Sequence, residues 1–453
     1  MTALALSAAL GRPAAGARPG GGEADRPFPE LLRHHRIRAG LTQRALADLS
    51  TVSPRAIRDL EAGRANARTQ TIHLLADGLR LHGMMRELFV RASLSRRRTS
   101  PFDDGAVMAA PRPVDALLGR DVELGALVDV LASGRRRTVA LSGLAGVGKT
   151  RLAADIAARL SARHGWPVLW AGRDPRAADA GTAGPLARSL RALVEADNPD
   201  VAPIRQLLGR HEAVLVVDGV ARAQTSRAVE DLLAYCPGLR VVGTARTPVR
   251  LAGVPATVVA PLPTPPPGWP TGSALDDLTD VPSVRLLVDR LAEVRPGFVL
   301  TRADAGAAAE ICRRLDGLPL ALEIVAGRGR VLALRQLADL PTADLLDLTL
   351  PARAGEAPGT LGGLLRAGLD ALQPGHRALL AALARRPRPW TVTDAAAVLR
   401  RSPEELLDDL DVLIGHGLLL VVHGASATEL RVPHLVRGLL CPADQSGWAP
   451  AAG

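Results

Sequence analysis

Gly143 to Thr150 read GLAGVGKT, residue types and a spacing suited to holding phosphate. Backbone N–H groups exposed around glycines can surround the oxygens of an anion, and a lysine closing the loop adds a point charge. Lys149 is the single lysine among 56 Lys and Arg residues. Arginine is a planar fork, whereas lysine carries a compact ammonium on a thin stem that fits inside a ring of amides. The competing explanation is a glycine-rich turn that carries a lysine by accident. Thr150 follows with a hydroxyl able to ligate Mg²⁺, and Asp218 ends the apolar run AVLVV with a carboxylate for the same ion or its water.

The flanking segments supply the context such a loop needs. The apolar run TVALSG predicts a strand, TRLAADIAARL a helix, and strand, GxxxxGK[ST] and helix together are a P-loop. Backbone amides from Gly146 through Val147 and Gly148 to Lys149 then hold the β-phosphate of ATP or ADP at a helix N-terminus, with Gly143 and Arg151 also expected at the nucleotide. PVLWAG, AVLVVDG, LRVVGTAR and ATVVAPL are short β-branched runs bounded by turn residues, as expected of buried parallel strands. Arg246, behind the third of these, is a candidate γ-phosphate sensor; a solvated arginine is the plainer alternative. Gly219 follows Asp218 where a second acidic or amide residue would polarise water, and Glu212 lies before the strand rather than after it. No catalytic base is identified, so at most slow ATP hydrolysis is expected.

A separate module precedes this one. From Phe28 to about Ser93, short bursts of helical periodicity predict four or five helices. Gly40 closes the first, Thr42 caps a second that buries Leu46, Ala47 and Leu49, and Ser53 caps a third with Pro54 at its first position and Gly63 at its end. On that third helix Arg55, Arg58 and Asp59 fall on the open side. Residues 27–93 carry eleven Arg against six Asp and Glu, a balance that favours phosphate contact over a neutral interaction domain.

Two resemblances follow from these motifs. Gly40 to Gln43 (GLTQ), Ala47, Val52-Ser53 and Ile57 to Gly63 match the pattern of a lambda-repressor-like (XRE) helix-turn-helix domain, which the stretch resembles over about 65 residues. The resemblance implies that Thr42 and Gln43 contact the DNA backbone and flanking bases, and that Ser53, Arg55 and Arg58 read the groove. Thr51 stands where such domains usually carry glycine, which predicts a strained or reshaped turn. Further on, LLGRDVEL, GLAGVGKT, VLVVDG, VVGTAR and ICRRLDGLPLALEIVAG occur in the order seen in NB-ARC ATPases of the STAND class, and the chain is similar to these over about 115–330. That likeness implies nucleotide contacts for Gly119, Arg120 and Pro319.

Past the proline-rich PLPTPPPGWPTG, helical periodicity resumes, and residues from about Thr360 to Leu440 alternate helices with a short hairpin, similar to the winged-helix domain of the same class. His434 lies near a nucleotide-sensing histidine of relatives but out of register, and is expected at the surface. No repeat of about 34 residues is found, so the signal either acts on the switch itself or comes through a separate sensor protein. The expected plan is a multidomain chain: a disordered leader (1–26), an all-α helix-turn-helix domain (27–93), a linker (94–114), an α/β P-loop domain with a parallel sheet (115–265), a helical subdomain (280–345), a winged helix (355–443) and a tail (444–453).

Composition narrows the classes. At 47% hydrophobic but 2% aromatic residues, the cores must be aliphatic. The net charge of +10 fits an anionic partner, though an arginine-rich composition raises it without one. Cys236, Cys312 and Cys441 are far apart with no CxxC spacing, which indicates neither a zinc site nor a disulfide framework and fits a reducing cytoplasm. No apolar run is long enough to span a membrane. The expected function is a cytoplasmic transcriptional regulator that binds double-stranded DNA and is switched by ATP/ADP with Mg²⁺, a homo-oligomer being one form of its activated state. The alternatives are a DNA-stimulated ATPase of motor or defence type, and a scaffold with a relic P-loop.

Overall fold

The computed structural model describes residues 28–62, 69–96, 115–172, 185–220, 223–269, 275–350, 359–386, 389–423 and 427–441. The leader at 1–26, Gly63 as a helix end, most of the linker and the tail fall outside these residues. The chain divides into two units, Met1–Gly105 and Ala106–Gly453.

Among the described residues the first unit has five helices: α1 (Phe28–Arg38), α2 (Gln43–Ser50), α3 (Pro54–Glu61), α4 (Thr69–Gly78) and α5 (Gly83–Arg96). Thr42 Oγ1 accepts from the Ala45 amide at 3.0 Å and Ser53 Oγ from the Ala56 amide at 3.2 Å, so both expected caps form. Leu31, Leu32, Leu46, Ile57, Leu60, Leu75 and Phe89 fill the core, with Phe28 tilted on Phe89 at 5.1 Å. Leu49 is not part of it: the side chain is 54% exposed. Leu46, Ala47 and Ser50 take the inward stripe of α2, and a Cβ on Gly78 would stand 2.9 Å from Ser50 Cβ, so α4 approaches too closely for a leucine there. Thr51 adopts φ 56°, ψ 18°, the left-handed conformation that its β-branch disfavours.

The second unit opens with α6 (Asp121–Ala132), β1 (Thr138–Ser142), α7 (Lys149–His164), β2 (Val168–Ala171), α8 (Pro185–Glu195), α9 (Ala202–Leu208), β3 (Ala213–Asp218), α10 (Ala223–Tyr235) and β4 (Leu239–Thr244). A small hairpin of β5 (Arg250–Leu251) and β6 (Val254–Pro255) leads to β7 (Thr257–Val258), much shorter than the run ATVVAPL suggests. The sheet order is β2-β3-β4-β1-β7, with every pair parallel. All of β1 and β4 is buried, as a sheet covered on both faces requires. Parallel register brings the ends of β1, β3 and β4 to one edge, where Asp218 pairs in register with Thr244.

Helices continue the chain: α11 (Leu275–Thr279), α12 (Pro282–Val294), α13 (Arg302–Arg314), α14 (Pro319–Arg328), α15 (Leu334–Ala338) and α16 (Thr342–Leu346). The C-terminal part adds α17 (Leu361–Asp370), α18 (Pro374–Ala384), α19 (Val392–Leu399), α20 (Pro403–Gly415), the hairpin β8 (Leu420–His423) and β9 (Thr428–Arg431), and α21 (His434–Leu440). One largely aliphatic cluster runs from Leu141 and Val147 through Leu287 and Leu322 to Leu413 and Leu435, while Leu193, Leu208, Leu215 and Leu232 of α8, α9, β3 and α10 are buried outside it. Among the described residues no helix is long and apolar enough to cross a membrane.

Candidate nucleotide site and helix-turn-helix surface

Buried strand β1 runs straight into the glycine-rich loop, where Gly143, Gly146 and Gly148 take φ of +129°, +82° and +99°. These left-handed values are ones that glycine takes without strain, as the tight turn of an anion cradle requires. Lys149 begins α7 and is 9% exposed. Its Nζ reaches back across the loop and donates to the carbonyls of Gly143 at 2.8 Å and Leu144 at 3.0 Å. Burial pushes the ammonium down to about 8; the like charge of Arg246 adds to this and Asp218 opposes it. A cation held by two carbonyls at this depth is matched best by an anion entering the loop.

The Thr150 hydroxyl donates to Asp218 Oδ1 at 2.8 Å, and Thr244 Oγ1 donates to the same oxygen at 2.6 Å. The expected Thr150–Asp218 pair is therefore assembled, and Thr244, overlooked in the sequence, is its third member. A hydroxyl and a carboxylate are the hard oxygen donors that Mg²⁺ takes beside a phosphate. Gly219 has φ +101° and donates its amide to Thr244 O at 3.1 Å and Oγ1 at 3.0 Å. A side chain is strained at that angle, which gives a backbone reason for the missing second acid. Glu212 accepts from Trp166 Nε1 at 2.9 Å, at the opposite end of β3 from Asp218. A buried ammonium in a glycine loop and a hydroxyl–carboxylate pair beside it are groups chemically suited to phosphate and a divalent ion.

Other expected contacts take different places. Arg120 is buried, donating to Val147 O at 3.1 Å, Ala260 O at 2.6 Å and Glu123 at 3.0 Å, so its guanidinium braces the loop. Gly119 lies against Pro282, where a Cβ would stand 2.5 Å from the ring. Arg151 donates Nε to Asp155 at 2.9 Å and keeps Nη2 buried without a hydrogen bond. Arg246 is exposed beyond the end of β4. Pro319 starts α14, and its neighbour Leu320, not foreseen, makes the contact: its amide donates to Gly146 O at 3.2 Å, and a Cβ on Gly146 would stand 2.8 Å from Leu320 Cβ.

The C-terminal part also reaches the loop. Gly417 (φ +72°) follows α20, and a Cβ there would stand 2.3 Å from the Leu144 nitrogen. His434 is not the surface residue expected. It is partly buried, with Nε2 3.3 Å from Thr342 Oγ1, and burial first, then Arg314 and Arg437, push it down while Asp316 opposes them.

On the first unit, Arg55 and Arg58 are exposed along α3, with Ser53 at its cap and Thr42 at the cap of α2. Gln43 Nε2 donates to Glu61 Oε2 at 2.8 Å, and Glu61 also receives Arg36 Nε at 2.6 Å and Nη2 at 3.0 Å. This network joins α1, α2 and α3, and holds the side chain expected nearest the phosphates. The sequence singled out Gln43 within GLTQ, but neither Glu61, which accepts from it, nor Arg36, which holds Glu61.

Residues 28–89 match the helix-turn-helix domain family. The chain is 30% identical over 318 residues to a protein of Mycobacterium bovis assigned as an HTH-type transcriptional regulator, covering 67% of this chain and 33% of that one. A Mycobacterium tuberculosis protein of the same description matches equally, and an uncharacterized M. tuberculosis protein is 31% identical over 223 residues, covering 48% of this chain and 51% of that one. The chain thus spans about a third of the length of the first of these relatives. Among solved structures, a Walker-type ATPase of Pyrococcus abyssi aligns over 75% of this chain and 99% of its own, at 17% identity and a TM-score of 0.44. A STAND-class signal transduction ATPase with a tetratricopeptide sensor from Pyrococcus horikoshii covers 73% of this chain and 43% of its own, at 16% identity and TM-score 0.27. The chain joins a helix-turn-helix domain to a P-loop α/β module followed by a helical C-terminal region.

Proposed function

We propose that this chain is a cytoplasmic transcriptional regulator of the XRE and NB-ARC/STAND type, whose hold on double-stranded DNA is switched by ATP or ADP with Mg²⁺. The observation that carries the nucleotide half is Lys149, a nine-tenths buried ammonium held by two carbonyls inside a glycine loop. Thr150 and Asp218 would hold Mg²⁺, Gly143, Gly146, Val147, Gly148 and Lys149 the phosphates, and Arg246 the γ-phosphate from the rim. Magnesium supplies charge neutralisation between the phosphate oxygens. The DNA half rests on the helix-turn-helix match and on exposed Arg55 and Arg58, with Thr42, Gln43 and Ser53 beside them. The C-terminal hairpin and helices act as a winged helix that moves with the nucleotide state. Nucleotide works here as a ligand that favours one arrangement, because Gly219 stands where a second acid would polarise water and Glu212 lies at the far end of β3.

The first test is chromatography of the nucleotide released when purified, undialysed protein is denatured. Near-stoichiometric ADP supports a switch that waits for exchange. No nucleotide, with no uptake of added ATP or ADP, overturns that half and leaves DNA binding alone. In cells, Lys149→Ala should lose regulation while keeping weak DNA binding, and unchanged regulation sinks the switch. Turnover strongly stimulated by DNA would favour a DNA-dependent ATPase instead.

A further inference from the structure

Asp316 lies in the turn between α13 and α14, at φ +53° and 2% exposed. A carboxylate at that depth is costly unless matched by donors. Both of its matching donors come from the C-terminal part: Arg431, at the end of β9, gives Nη1 to Oδ1 at 2.6 Å, and the Leu435 amide of α21 gives its hydrogen to Oδ2 at 3.2 Å. The same turn grips the P-loop module on its other side. Gly317 O accepts from the Leu262 amide at 3.0 Å, and the Leu320 amide donates to Gly146 O at 3.2 Å. Five consecutive residues, 316 to 320, therefore hold the C-terminal hairpin and helix at one end and the middle of the glycine loop at the other. Gly417, pressed on Leu144, is an independent contact between the same two parts.

We propose that Asp316 is a positioning residue that makes the conformation of the glycine loop and the docking of the β8–β9 hairpin and α21 a single equilibrium. The inference rests, for its ligand, on the nucleotide reading above. A ligand that orders the loop favours the arrangement in which Leu320 is bonded to Gly146, and with it the docked hairpin. Undocking the hairpin frees the 316–320 segment and loosens the ligand by the same factor.

The test uses the full chain with Asp316→Asn, Arg431→Met and both together. Asparagine tolerates the left-handed conformation and keeps an acceptor for Leu435, so it removes the charge and little else. Arg431 is one-third exposed, so its replacement probes the pair from the side less able to disturb the core. Amide hydrogen exchange without nucleotide should show lost protection at 428–435 and also at 143–150 in either single variant. A fluorescent ADP analogue should leave each at least about fivefold faster than the parent, and the double variant no faster than the faster single one. Lost protection confined to 428–435, with unchanged exchange in the loop and unchanged ADP release, overturns the proposal. Failure of the parent to take up ADP would overturn the nucleotide reading instead, and the coupling is then decided by the exchange pattern.

Discussion

The Thr150 hydroxyl donates to Asp218 Oδ1 at 2.8 Å, so two groups suited to one divalent ion satisfy each other across the mouth of the glycine loop. A magnesium ion bound there competes with that hydrogen bond. Thr150→Ala should therefore weaken ADP binding about tenfold in Mg²⁺ while leaving binding in chelator nearly unchanged, the size of one lost charge-assisted contact. Equal weakening in both conditions would assign the hydroxyl to phosphate or to folding.

The lowered ammonium of Lys149 makes phosphate binding a proton-linked event. Near pH 7 the lysine is charged already; above its free value of about 8 it has lost its proton, and a phosphate entering the loop raises its affinity for that proton again. Titration calorimetry at pH 8.5–9 in buffers of different ionisation heat should show proton uptake on binding ADP, vanishing near pH 6.5. Affinity should fall as pH rises through that range, approaching about tenfold per unit. Proton release, or none at any pH, would count against this placement of the ammonium.

Thr51 holds a left-handed conformation without glycine's freedom. Thr51→Gly removes the clash of Cβ with the following carbonyl and gives up some chain entropy. The net gain should be about 0.5–1 kcal/mol in the stability of the helix-turn-helix unit, read as a rise in its calorimetric transition. A loss of stability would mean that the threonine side chain makes a compensating contact.

Arg58→Ala should reduce binding of the DNA site by about 1–3 kcal/mol if the guanidinium reads a base edge, with ADP affinity unchanged. If it contacts phosphate instead, binding weakens on all sequences and the slope of log affinity against log salt falls by about one. Loss of both DNA and ADP binding would indicate misfolding.

Much of the candidate nucleotide site was legible because the chemistry it is proposed to do permits few residue types. A single lysine in a glycine loop, a threonine beside it and an aspartate at a strand end announce themselves in one dimension, and the structure brings all three together. The partners supplied by tertiary packing were not legible. Thr244 reaches Asp218 only through the parallel register of β3 and β4; Leu320 and Gly417 reach the loop from distant helices and carry no motif for doing so. Leu49 was misplaced because helical periodicity marks an apolar face but not how closely the neighbouring helix approaches, whereas His434, expected at the surface because its register did not match, is partly buried beside Thr342, a contact no local pattern announces. Arg120 matched a motif, yet its guanidinium is spent on carbonyls, which motif position does not reveal.

The solitary lysine also makes the molecule its own reporter. A protease specific for lysine has one cleavable bond in the entire sequence, between Lys149 and Thr150, and that bond lies in the first turn of α7 with the side chain turned inward. Cleavage requires that turn to unwind, so the single cut, visible as two fragments on a gel, clocks the opening of the glycine loop. Any ligand seated there should slow the clock in proportion to its occupancy, without labels and without knowing the operator.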